Sequence, residues 1–103
     1  MDEIKDMTNE YVIDGDINEE LLKKNYPREF ANEILKRIAV EAVMGQMGAN
    51  YPFELKKVVK DDEHTLVLIT SQDVLRFVWI EDYQKTMISL IPIDTARFIK
   101  KWI

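Results

Sequence analysis

TLVLIT (65–70) and VLRFVWI (74–80), three residues apart, decide the fold. Both are rich in β-branched and aromatic residues, which predicts strands. In the first, Leu66 and Leu68 would point to one side and Val67 and Ile69 to the other. A strand lying on a one-sided sheet alternates apolar with polar, so this pattern predicts a strand buried on both faces. Working outward, the polar turns DDEH (61–64), SQD (71–73) and EDYQK (81–85) separate these two runs from FELKKVVK (53–60) and TMISLI (86–91). Connections this short join antiparallel neighbours, because a parallel crossover needs a dozen residues or more. The expectation is a four-stranded antiparallel meander.

A sheet with two apolar faces needs two covers. The segment from Pro27 to Met44 predicts a long helix. Phe30, Ile34, Ile38 and Ala42 recur at spacing four, Ala31, Leu35 and Ala39 widen the stripe, and proline suits the first helical position. Glu29, Glu33, Arg37 and Glu41 form a charged row that reads as its solvated side. IAVEAVM (38–44) is apolar nearly all round, which predicts deeper burial at that end, and Gly45 and Gly48 break the helix. INEELLKKN (17–25) reads as a short helix that stops before Pro27. YVI (11–13) is a short extended piece ending in an Asp-Gly turn signal. DTARFIKKWI (94–103) reads as a C-terminal helix capped by Asp94, with Phe98, Ile99, Trp102 and Ile103 on one side. The expected fold class is therefore α+β: two N-terminal helices, a four-stranded antiparallel β-meander and a C-terminal helix. Residues 1–103 read as one domain, with residues 1–13 as an acidic flexible arm. The second sheet face is expected to be covered by the short helices or by a second subunit.

The composition excludes several chemistries. There is no cysteine among the 103 residues, so disulfides, thiolate nucleophiles and Cys-based zinc sites are absent together. LVLI and FVWI are far too short to span a bilayer, and the first residues are acidic where a secretory signal would be basic. A cytoplasmic location is the expectation. The net charge of −5 is unevenly spread: residues 1–20 hold eight acids and one base, whereas residues 21–103 hold eleven acids and thirteen bases. Such segregation points to an interaction segment.

DGDINEELL (14–22) places Asp14, Asp16 and Asn18 at the spacing of calcium ligands. A calcium loop of the EF-hand type also needs glycine at its sixth position and glutamate at its twelfth. Counted from Asp14, those positions hold Glu19 and Asn25. The stretch reads instead as a helix start, with Asp16 as N-cap, Glu19 at capping-box spacing, and Lys23 and Lys24 near the far end of the dipole. His64, the only histidine, stands beside Asp61, Asp62 and Glu63 and reads as part of a polar turn, not a metal site. Ser71, His64 and Asp73 could be written as a triad, but no nucleophile-elbow glycines surround Ser71 or Ser89. In GQMGANYPF (45–53) the glycines follow a helix and precede a strand, the reverse of a phosphate loop. Lys56, Lys57, Lys60, Arg76, Arg97, Lys100 and Lys101 could form a basic face, yet a nucleic-acid binder shows a dominant basic footprint that the overall charge denies. Phe77, Trp79, Phe98 and Trp102 read as core, with Trp102 also a candidate contact residue.

No catalytic, cofactor or metal residues are assigned. The expectation is a non-enzymatic, acidic protein-binding module of inhibitor type (immunity, antitoxin or phage anti-defence) engaging a basic surface of another protein, and able to form a homodimer. Asp2, Glu3, Asp6, Glu10, Asp14 and Trp102 are its candidate partner-binding residues. The alternative is a nucleic-acid-binding domain screened by its own acidic arm, and the third reading is a small enzyme or ligand-binding protein with a site between helix and sheet.

Overall fold

A computed structural model of the chain describes residues 5–48, 53–71 and 73–91, with backbone alone for 45–48. The elements run β1 (Lys5–Asp6), α1 (Thr8–Tyr11), β2 (Val12–Ile13), β3 (Asp16–Ile17), α2 (Glu19–Asn25), α3 (Arg28–Gly48), β4 (Leu55–Asp62), β5 (Thr65–Thr70), β6 (Val74–Ile80) and β7 (Lys85–Leu90). Strands β4 to β7 pair in sequence order, all antiparallel, as the short turns require. β5 is buried at every one of its six positions.

The expected layout of two N-terminal helices, four strands and a C-terminal helix is corrected by what precedes β4. The sheet has five strands in the order β1-β4-β5-β6-β7, and β2 and β3 form a separate two-stranded sheet. Three helices, not two, lie before β4. The fifth strand was invisible because Lys5 and Asp6 carry no period; they are extended only because they pair with Lys60 and Val59. The C-terminal helix assigned to 94–103 lies outside the described residues.

The β2–β3 hairpin follows from the Asp-Gly signal. Asp14 has φ 51° and Gly15 φ 80°, and Ile13 pairs with Asp16. Two central residues at positive φ make the two-residue turn whose twist matches a hairpin. Gly15 is also needed sterically: a Cβ there would sit 2.9 Å from Glu54 Cγ. Its carbonyl accepts the Leu55 N–H at 2.9 Å, which pins the hairpin to the start of β4.

Registers assign the two faces. Val58, Leu66, Leu68, Leu75 and Phe77 share one face, where α3 lays Phe30, Ala31, Ile34 and Ile38. Tyr11, Ile17 and Leu22 from α1, β3 and α2 complete that core. On the other face Val59, Val67, Ile69 and Val74 are buried and pack with Ile91. Burial on this second face is confined to that cluster, since Arg76 and Met87, on the same face, are exposed.

Two local expectations fail for identifiable reasons. The cap of α2 is Asn18, whose Oδ1 accepts the Leu21 N–H at 3.2 Å, while Asp16 belongs to β3 and accepts the Ile17 N–H at 2.8 Å. The hairpin claims residues 16 and 17, so the helix starts at Glu19 and the cap moves two places on. The far end of α3 is not the deeper one: Val40, Val43 and Met44 are exposed, while Glu41 is only 15% exposed. A spacing-four row drifts by about 40° per step on a helix of 3.6 residues per turn, so Glu41 lies about 120° around the axis from Glu29. The charged row begins in solvent and ends against the sheet.

Among the described residues no helix is long and apolar enough to cross a membrane. Ile38 sits in the main core, and Ile38→Ala is expected to cost about 2–5 kcal/mol in urea unfolding. Asn18→Ala should cost about 1 kcal/mol and Asp16→Ala less, the reverse of the ranking that a cap at Asp16 would give.

Candidate functional site

Three features carry the polar chemistry. The first is an ordered acidic surface. Glu10, Asp14, Asp16, Glu19 and Glu20 are all exposed, and no basic residue lies between positions 10 and 20. They are fixed in place by the elements that bear them. Asn18 ties α1 to the start of α2: its N–H donates to Tyr11 O at 2.7 Å and its Nδ2 to Glu10 O at 3.2 Å. The hairpin carries Asp14 at its turn and Asp16 beside it, with Ile13 54% exposed among the carboxylates. Of these acids, Glu19 is engaged by Lys23, 2.8 Å away on the next turn.

The described part of the expected arm is therefore structured. Asp6 lies in β1, and its carboxylate accepts from the Thr8 hydroxyl and, at 2.9 Å, from the Thr8 N–H. The Thr8 hydroxyl bond holds the Asp6 carboxyl below its ordinary value, aided by the Thr8 N–H and the Lys57 charge against a partial burial cost. Asp6 thus serves the local turn, whereas Glu10 and Asp14 face solvent. Asp2, Glu3 and Trp102 lie outside the described residues. Among the candidates, Glu10 and Asp14 are exposed on α1 and at the hairpin turn, and Asp14 shares a surface depression with Asp16 and Glu19. The sequence signal for Asp16, Glu19 and Glu20 is the excess of acids over bases in residues 10–20, part of which a helix-cap role for Asp16 would account for.

The second feature is a cleft of about 340 Å³ between the α2–α3 junction and the sheet. Tyr11, Tyr26, Phe30 and Trp79 form its aromatic wall, with successive ring centroids 6.4, 5.4 and 6.1 Å apart. Asn25 Nδ2 donates to the Tyr11 hydroxyl at 2.9 Å, holding that ring. Burial, with a contribution from Tyr11, pushes the Tyr26 phenol up to about 12. Lys60, Glu63, His64 and Glu81 stand at the rim. His64 is exposed in the β4–β5 turn, where its N–H donates to Asp62 Oδ1 at 2.8 Å.

The third is a carboxyl pair linking α3 to the β5–β6 turn. Arg37 Nε lies 2.8 Å from Glu41 Oε1, close enough for charge attraction but with its N–H unsatisfied as a hydrogen bond. On the other side stands Asp73, whose Oδ1 accepts from the Thr70 hydroxyl at 2.7 Å while its N–H donates back to that oxygen at 2.9 Å. A hydrogen bond shared with Asp73, then burial and the Asp73 charge, raise the Glu41 carboxyl above its ordinary value against the pull of Arg37. The solvated role expected for Glu41 is replaced by a half-buried one.

Other sequence candidates are dispersed. Ser71 accepts the Glu54 N–H at 3.0 Å, and the whole of β5 separates it from His64, on the order of 20 Å at strand rise. No triad is assembled. Lys57 and Arg76 fall on one sheet face and Lys60 on the other, while Lys56 pairs with Glu54 at 3.0 Å. Arg97, Lys100 and Lys101 lie outside the described residues. Among the described residues no group of three or more histidine, aspartate or glutamate side chains is placed to hold a metal ion.

The Glu41 arrangement sets a pH dependence. A carboxyl raised in the folded state adds stability that is fully present below its unfolded value of 4.5 and is lost as pH rises through the folded value. Glu41→Gln, neutral at every pH, should be more stable than the parent at pH 7, and that advantage should disappear by pH 4. Parallel urea unfolding curves at the two pH values check this. Comparison with known proteins brings no relative to these sites, since no family model, curated protein or solved structure matches the chain.

Proposed function

We propose that this chain is an acidic protein-binding module of inhibitor type, working in the cytoplasm, whose ordered acidic surface occupies a basic groove of a partner protein. The observation that carries this is the set of five exposed carboxylates on α1, the β2–β3 hairpin and α2, with exposed Ile13 among them. Fixed charges steer a partner of opposite charge without the ordering cost that a flexible arm would incur on binding. An apolar anchor inside a charged rim is the arrangement that gives residence time as well as encounter rate. A groove that otherwise receives nucleic acid phosphates matches the sign of such a surface, which is the logic of immunity, antitoxin and anti-defence inhibitors. The splitting of Lys57 and Arg76 from Lys60 by strand alternation disfavours the nucleic-acid alternative.

A second reading, small-ligand binding, is favoured by the aromatic cleft, whose volume lies within the range of ligand pockets. Native mass spectrometry of the purified chain distinguishes it, by a bound small molecule lost on Phe30→Ala or Trp79→Ala.

The test of the protein-binding reading reverses Glu10, Asp14, Asp16 and Glu20 to lysine together, leaving Glu19 in its pair with Lys23. With the partner captured on the immobilised parent chain, association should slow by at least about tenfold and lose most of its salt dependence, as screening of steering charges requires. Ile13→Ala should instead speed dissociation. Unchanged association rate and salt slope in the reversed variant, with its unfolding curve intact, would sink the proposal.

A further inference from the structure

The aromatic cleft between the α2–α3 junction and the sheet changes character from its depth to its mouth. Tyr11 is fully buried, Tyr26 and Lys60 are half-buried, and Glu63 and Glu81 are exposed. The inner groups are hydrogen-bond donors and the outer ones are acceptors. The Tyr11 hydroxyl accepts from Asn25 Nδ2 at 2.9 Å, so its own hydrogen is left to donate. Among the described residues neither that hydrogen nor the Tyr26 hydroxyl is paired with an acceptor. Buried donors are as a rule satisfied, and one that is not calls for a partner.

The charges around the cleft are unmatched in the same way. Lys60 stands directly opposite Lys5 in the β1–β4 pair, and like charges so placed repel across a sheet. The ion pairs among the described residues are Lys23–Glu19, Arg37–Glu41 and Lys56–Glu54, so Lys5, Lys60, Glu63 and Glu81 take no part in one. Lys60, Glu63 and Glu81 nevertheless line one cleft. Groups of both signs on one rim, beyond ion-pair distance of one another, fit a ligand that carries both signs itself. A simple anion would meet the two glutamates, and a simple cation would meet Lys60 and Lys5. A neutral ring would leave all four groups unmatched.

We propose that the cleft binds a free α-amino acid with an aromatic side chain. This rests on the small-ligand reading of the cleft and names its ligand class. The carboxylate turns inward, where Lys60 and the two phenols donate, and the ammonium turns outward to Glu63 and Glu81. In an α-amino acid both charges sit on one carbon, within reach of one rim, whereas a peptide holds them at opposite ends. The side chain lies along the wall of Tyr26, Phe30 and Trp79, whose successive centroids are 5.4 and 6.1 Å apart. Aromatic rings pair favourably at centroid separations of about 4.5–7 Å, so a further ring extends the same wall. The cleft, at about 340 Å³, is at the small end of ligand pockets, which suits a ligand of this size.

Calorimetric titration of the full chain with three probes tests this. L-Phenylalanine should bind with a dissociation constant below about 1 mM. 3-Phenylpropionate, which lacks the ammonium, and 2-phenylethylamine, which lacks the carboxylate, should each bind at least about tenfold more weakly, because each leaves one set of charges unmatched. Lys60→Gln should bring phenylalanine down to the level of phenylethylamine, and Glu63→Gln with Glu81→Gln should bring it down to the level of phenylpropionate. All three positions are at least partly exposed, and an unchanged urea unfolding curve checks that the variants fold. Equal binding of the three probes overturns the proposal, as does phenylalanine affinity that survives both sets of substitutions. Absence of phenylalanine binding overturns it too: another molecule found in the cleft by native mass spectrometry then leaves the small-ligand reading standing, and an empty cleft removes both.

Discussion

A strand with no exposed residue constrains everything around it. β5 is buried along its whole length, so it must have a neighbour on each side and a cover on each face. Antiparallel turns supply β4 and β6 as neighbours. On one face α3 contributes Phe30, Ala31, Ile34 and Ile38, and the short elements before it contribute Tyr11, Ile17 and Leu22. Burial of these side chains, each worth about 1.5–3 kcal/mol if aliphatic or aromatic and fully buried, is the main force holding the layers together. The polar features are positioned by this packing: the aromatic cleft opens where the α2–α3 junction meets the sheet, and Glu41 meets Asp73 where α3 passes the β5–β6 turn.

The same packing leaves the acids of the first segment on the outside of the fold. Residues 5 to 17 supply four core side chains or partners (Met7, Tyr11, Val12 and Ile17) among four acids. To bury the former they must lie along β4, and the latter are then left on the outside of that edge. The hairpin turn adds Asp14 at its tip because positive φ selects Asp-Gly there. At the other end of the sheet, β7 carries a single charge, Lys85.

Four strands and the long helix were legible because each has a sustained pattern. The strand bounds at 65–70 and 74–80 are those of the sequence pattern, and β4 and β7 differ from it at their ends. What was illegible was set by tertiary contact. Two residues, Lys5 and Asp6, cannot show a period, and their strand exists only through β4. Asp16 is as good a cap as Asn18 by residue type; the choice between them depends on a hairpin closed by long-range bonding of Gly15 to Leu55. The fate of Glu41 was hidden by treating spacing four as a straight row, when it winds around the helix. The acidic run was visible in the sequence as charge, but its fixation on folded elements was not, because YVI (11–13) and the lone Ile17 are too short to show a period.

The pairing of β1 with β4 joins Lys5 to Lys60 and Asp6 to Val59, so it is among the most non-local contacts in the fold. The cost of closing a loop grows with its length, and contacts between distant residues form late. During synthesis residues 5 to 17 leave the ribosome well before β4 exists to receive them. Throughout that interval Tyr11, Val12 and Ile17 have no core to enter. The carboxylates interspersed with them keep such a segment solvated and mutually repelled, and so reduce its tendency to aggregate. The acidic run is thus a guard during folding before it becomes a surface.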